Sequence, residues 1–172
     1  VINAGTLQVG TGGTSGSLLG NVTDNGALVF NRSDNTNLAG AITGTGTLTK
    51  LGTGTLALTG NNTYSGSTSI SGTLQLSNGG RIEGTSGITI SRSATESGTL
   101  YVTGAGSRVT TAGNIVVGAA GSGTLTVDNG ASVTAANIAL SGPAATLNIG
   151  TGGASGSLNP AMAVFGTAAG AA

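Results

Sequence analysis

The sequence predicts an all-β solenoid: one rod-like unit over residues 1–172, wound as about seven stacked coils. Three observations predict it. Short apolar–x–apolar triplets recur along the whole chain, Gly, Asn and Ser clusters punctuate them, and whole segments repeat at coil-sized intervals.

The triplets are Leu7-Gln8-Val9, Leu28-Val29-Phe30, Leu56-Ala57-Leu58, Leu74-Gln75-Leu76, Ile88-Thr89-Ile90, Leu100-Tyr101-Val102, Ile115-Val116-Val117, Leu125-Thr126-Val127, Ile138-Ala139-Leu140 and Leu147-Asn148-Ile149. Residues i and i+2 of a strand share a face, so each triplet turns two apolar side chains inward and one residue outward. No helical periodicity is sustained, and Gly recurs too often to allow it.

The breaks fall at Thr11-Gly12-Gly13, Gly60-Asn61-Asn62, Asn78-Gly79-Gly80 and Asp128-Asn129-Gly130, residue types that tolerate positive φ in sharp turns. Asn129-Gly130 could instead mark a two-residue hairpin, a signature that most of the other connections lack.

The repeats set the coil. Gly98-Thr99-Leu100-Tyr101-Val102 returns as Gly123-Thr124-Leu125-Thr126-Val127 and again as Ala145-Thr146-Leu147-Asn148-Ile149. Gly106-Ser107-Arg108-Val109-Thr110 matches Gly130-Ala131-Ser132-Val133-Thr134, and Asn114-Ile115 matches Asn137-Ile138. A longer echo links Thr6–Leu18 to Thr146–Leu158. Units of this length bury their apolar face by stacking at about 4.8 Å per coil, giving a rod of roughly 35 Å.

Composition agrees with a thin core. There are 34 Gly, two Phe, two Tyr and no Trp, and charged residues are 6% of the chain, against the usual ~25%. Net charge is zero and mean hydropathy is positive, the opposite of the balance that keeps disordered chains soluble. The basic residues are scattered, which argues against a nucleic-acid partner. No apolar run approaches the ~20 residues of a membrane-spanning helix, so no direct membrane insertion is expected. The chain opens at Val1 without Met or a visible signal peptide, which reads as a piece of a longer protein. Absent cysteines suit a chain that crosses an oxidising compartment unfolded.

Residues 46–66, GTLTKLGTGTLALTGNNTYSG, resemble the autotransporter-associated β-strand repeat, and the likeness continues through Gly72-Thr73-Leu74-Gln75-Leu76. Leu28–Asp34 resembles the segment preceding that repeat. The resemblance covers residues 1–80; residues 88–158 resemble looser repeats of the same passenger domains, and 159–172 read as a truncated next repeat. It implies a right-handed parallel β-helix, type V export through the periplasm and outer membrane, and display at the bacterial cell surface. It also implies support for transport, stalk formation, and adhesion or self-association. The implied partners are host or surface glycans, or another copy of the chain. No catalytic or binding residue travels with the motif.

Candidate sites are few. Without His or Cys, the common nucleophile–base pairs and metal ligands are missing, so no catalytic, metal or cofactor site is expected. A polysaccharide-acting enzyme remains as the alternative, resting on Asp24, Asp34, Glu83, Glu96 and Asp128. Of these, Asp24 and Asp34 are placed to approach each other on neighbouring strands. Gly12-Gly13 and Gly152-Gly153 lack the Asp of a calcium-binding β-roll. Arg32 and Asp34 read as a ligand-binding pair or, more simply, as a surface ion pair closing a turn. Asn21, Asn31 and Asn61 open glycosylation-like triplets that this composition produces by chance. Thr43, Thr45, Thr47 and Thr49, with Thr53 and Thr55, raise an ice-binding array, or plain strand and turn chemistry. Neither end carries a polar capping coil, so end-to-end association is expected. The other possibility is the Ala-rich tail from Ala161 folding over the last coil.

Overall fold

The computed structural model describes residues 1–142, 144–150 and 155–165, the last six for backbone alone. Gly152-Gly153 and Ala171-Ala172 lie outside the described residues.

Nineteen short strands and no helix make up the described residues. A first coil holds β1 (Thr6–Val9). The next has β2 (Val22–Thr23), β3 (Ala27–Asn31) and β4 (Thr36–Leu38), followed by β5 (Ile42–Thr43), β6 (Thr47–Leu51) and β7 (Thr55–Leu58). Then come β8 (Asn61–Asn62), β9 (Thr68–Ile70) and β10 (Gly72–Leu76), and β11 (Arg81–Glu83), β12 (Ile88–Ile90) and β13 (Ser97–Thr103). The last coils are β14 (Arg108–Thr110), β15 (Asn114–Val117) and β16 (Ser122–Asp128), then β17 (Ser132–Leu140) and β18 (Thr146–Ile149), and finally β19 (Ser157–Phe165).

Every strand pairs in parallel with its counterpart one coil away. Sheet 1 runs β1-β3-β6-β9-β12-β15 and sheet 2 runs β4-β7-β10-β13-β16-β18. Sheet 3 holds the short strands β2-β5 and β8-β11-β14. β17 serves two sheets: its first half pairs with β14 and its second half with β15. β19 continues both halves. The result is a three-sided parallel β-solenoid of about seven turns.

The repeats set the register. Leu100 faces Leu125 and Leu125 faces Leu147, Val109 faces Val133, and Ile115 faces Ile138. Coil length varies while register holds. Cross-coil side-chain bonds span 20 residues in the first half (Asn21 to Ala41, Asn25 to Thr45) and 22 to 26 in the second.

Inward positions form files along the axis. Leu28, Leu48, Leu56, Leu74, Ile88, Leu100, Ile115 and Leu125 are all buried, each contributing about 1.5–3 kcal/mol over leaving it exposed. The inward prediction fails only at the ends of the stack. Leu7 and Ile149 are 38% and 48% exposed, because β1 and β18 each pair on one side only.

Three expectations are corrected. Asn129-Gly130 makes no hairpin: with φ of 51° and 78° it turns the corner between parallel β16 and β17. The echo of Thr6–Leu18 at 146–158 marks no equivalent place, since β1 lies in sheet 1 and β18 in sheet 2. The tail from Ala161 does not begin as a fold-over cap, because residues 161–165 continue β19 alongside β17.

Candidate binding face

The outer surface of sheet 2 carries two in-register files. Thr55, Thr73, Thr99, Thr124 and Thr146 stand in one line, coil upon coil. Beside them run Ala57, Gln75, Tyr101, Thr126 and Asn148. Within this face Asn148 donates to Thr126 at 3.3 Å, and the Tyr101 hydroxyl donates to Asp128 at 3.1 Å. Asn129 donates to Thr103 at 3.0 Å. These bonds order the polar groups and leave the threonine line half-exposed.

Sequence reasoning missed this line. It chose Thr43 to Thr55 for their alternation along the chain, but the structure spreads those residues over several faces. Thr43 lies in sheet 3, Thr45 in a turn, Thr47 and Thr49 in sheet 1, and only Thr55 in sheet 2. The real signal is the Thr before each sheet 2 triplet from Leu56 on, preceded by Gly in all but the last and repeated at unequal spacings set by the corners. The line is one residue wide, whereas ordering a water lattice calls for hydroxyls in two dimensions.

Beside the threonine line the surface is notched. Coil corners between sheets 1 and 2 use Gly52–Gly54 after β6 and Ser91–Glu96 after β12, but Ser71 alone after β9. That short corner leaves a cavity of about 480 Å³ between its longer neighbours. Gly52 and Thr53 form one rim, Thr95 and Ser97 the other, and Ser71 and Gly72 the floor, with Thr73 and Thr99 behind.

Two charges flank the notch. Burial alone would raise the Glu96 carboxyl, yet hydrogen bonds from Ser71 and from the backbone of Ser93 and Arg92 hold it below its usual range. Its Oε2 accepts those backbone bonds at 3.2 and 2.9 Å. Beneath the floor lies Lys50, 1% exposed. Its Nζ donates to Leu51 O at 2.5 Å and Gly52 O at 2.8 Å. Burial pushes the ammonium down to about 8. Nζ lies 3.0 Å from where a Gly72 side chain would begin.

The remaining carboxylates are dispersed. Asp24 and Asp34 do not meet on neighbouring strands; they sit at opposite ends of β3, one before it and one after. Asp24 is fully buried, with one oxygen on the Gly26 amide at 3.0 Å and the other unpartnered. Asp34 binds Arg32 through both oxygens at 2.8 Å, which lowers the Asp34 carboxyl and raises the Arg32 guanidinium. The pair closes a turn as the simpler reading had it, but Arg32 is buried and also donates to Gly16 O, tying down loop 10–20. Glu83 pairs with Arg108. Among the described residues no cluster of three His, Cys, Asp or Glu side chains could hold a metal ion, and no helix is long and apolar enough to cross a membrane.

The interior also holds a polar seam that the triplets gave no hint of. Asn62 takes the Ile42 N–H at 3.0 Å and donates to Gly60 O and Arg81 O at 3.1 and 2.8 Å, binding three coils. Tyr64, wholly buried, meets Thr68 at 2.7 Å, and burial raises its hydroxyl pKa. Thr68 neighbours Thr85, whose carbonyl accepts from Thr111 at 2.6 Å.

Comparison with known proteins bears on these same coils. The family model described as Passenger-associated-transport-repeat matches residues 48–76, from Leu48 in β6 to Leu76 in β10. The chain carries autotransporter passenger repeats. The matched stretch holds Lys50, Asn62, Tyr64 and the Ser71 corner, so the passenger repeat includes the first part of the polar interior together with the notch floor. Over 49 residues the chain is 61% identical to "Adhesin BmaC autotransporter" of Brucella suis biovar 1 (strain 1330). That stretch is 28% of this chain and 1% of that protein's length. No solved structure matches.

Proposed function

We propose that this chain is a non-catalytic structural segment of an adhesive passenger displayed on the bacterial surface, with sheet 2 as its contact face. The observation that carries this reading is a face of in-register Thr side chains, with Gln, Tyr and Asn beside them, that begins within the passenger repeat at Thr55 and Thr73 and continues over the following coils. The relative's printed name, an adhesin, supports the same role. Many weak hydrogen bonds from such a face suit glycans at another surface, or a second copy of the chain. Stacked coils also suit export, since each added coil finds a template in the last. The segment then acts as a stalk outside the outer membrane, reached through the periplasm. The dispersal of the carboxylates over separate strands and corners favours this over polysaccharide cleavage, which needs two facing one substrate.

Fusing the chain to an autotransporter barrel and displaying it on non-adherent cells tests the proposal. Expected are protease-accessible chain at the surface and increased adherence or clumping, reduced by substituting the sheet 2 threonines. Surface-exposed chain that leaves adherence and clumping at the level of the barrel alone overturns it.

A further inference from the structure

We propose that the notch at Ser71 is a binding site for one neutral hexose unit of a glycan. The proposal rests on the reading of sheet 2 as a contact face and deepens it. A cavity of about 480 Å³ lies within the ~300–1,000 Å³ range of small-ligand pockets.

Its lining selects the ligand class. Thr53, Ser71, Thr73, Thr95, Ser97 and Thr99 present hydroxyls and the glycines expose backbone, with no aliphatic or aromatic side chain among them. A hydroxyl both donates and accepts, so a wall of them matches a polyol, which does the same at each carbon. An apolar ligand would find no aliphatic or aromatic side chain to pack against, only threonine methyls and glycine carbons. A divalent cation would find too few carboxylates.

Glu96 stands between the rim residues Thr95 and Ser97, beside the lining and not in it. Two backbone N–H groups pin its Oε2, and its bond to Ser71 links rim to floor. A sugar hydroxyl that reaches past the rim would donate to that carboxylate as a charge-assisted bond, roughly twice as strong as a neutral one. The charge does not make the site anionic, because the Lys50 ammonium lies directly beneath Gly52 and Gly72. One negative group on the rim and one positive group under the floor favour an uncharged sugar over a uronate.

Titration of the isotopically labelled chain with methyl glycosides of glucose, galactose and mannose, followed by amide NMR, tests the assignment. Expected for at least one sugar are saturable shifts confined to residues 52–53, 71–73 and 95–99. Thr73→Val/Thr99→Val together, and Glu96→Gln separately, should weaken that binding at least tenfold with the melting temperature unchanged. Methyl glucuronide should bind more weakly than its neutral counterpart. Absence of saturable shifts with all three sugars, shifts spread evenly over the sheets, or full affinity in the Thr73→Val/Thr99→Val variant overturns the site. The display assay separates this from the broader reading. Adherence retained in full by the notch variants sinks the notch and spares the adhesive role, whereas sugar binding at the notch without adherence does the reverse.

Discussion

Lys50 occupies a position built for an apolar side chain. Its in-register neighbours are Phe30 one coil below and Ile70 one coil above, and the file continues through Ile90, Val117 and Leu140. Two carbonyls satisfy the ammonium without neutralising it, and no carboxylate pairs with it. Its ordinary value of 10.5 falls to about 8 in the fold, so between those values the unfolded chain binds the extra proton. Stability therefore rises with pH across that window, and the burial cost is full below pH 8. At about 1.4 kcal/mol per unit, that cost reaches up to about 3 kcal/mol. Melting curves should shift upward from pH 8 to 10 in the wild type and stay flat in Lys50→Met, which should also melt higher at pH 7. A flat wild-type profile would show that the ammonium reaches water. Asn62 behaves oppositely. Asn62→Leu strands the Ile42 N–H and leaves Gly60 O and Arg81 O without their donor, costing roughly 3 kcal/mol; chemical denaturation reads it directly.

Strands and corners were unequally legible. Each triplet points inward where stacked on both sides, because period-two alternation is a property of the strand itself. Sheet 3 was legible only in its later coils, where residues 106–110 repeat as 130–134; pairs such as Val22-Thr23 and Asn61-Asn62 are too short to show a period. The interior places of Lys50, Asn62 and Tyr64 were hidden for another reason, since polarity reads as outward until a cross-coil partner is known. The threonine line and the notch escaped because both depend on corner length, which composition does not encode. Where corners bring coils close, glycine is required by space. A side chain at Gly66 would run into the Gly46 carbonyl, whereas one at Gly13 meets nothing within 4 Å. Gly66→Ala should cost about 1–3 kcal/mol by overpacking, and Gly13→Ala should leave the melting temperature within a degree or two. Equal effects would place the cost in backbone entropy instead of contact.

At the scale of the molecule, the fold was legible from repetition alone, because a coil that cannot bury its own apolar face must stack. Function was legible only as a class. The repeat indicates how the rod is built, while what it touches depends on outward residues free to vary without disturbing the core. Passenger repeat and contact face overlap at β7 and β10 but place different demands on those coils, interior for one and surface for the other.

The parallel ladders have a mechanical consequence. Every backbone bond between coils lies along the rod axis, so tension between the ends loads those bonds in opening, a few at a time, never all together in shear. A tethered rod should yield as a series of small releases. Each freed coil, spanning 20 residues in the first half and 22 to 26 in the second, should lengthen the tether by roughly 65–90 Å at 3.3–3.6 Å per residue. Single-molecule pulling should record those steps, with a higher force where Asn62 holds three coils together. A single all-or-none rupture would mean that the coils share load. A chain that gives way coil by coil dissipates a sudden pull while its far end stays attached.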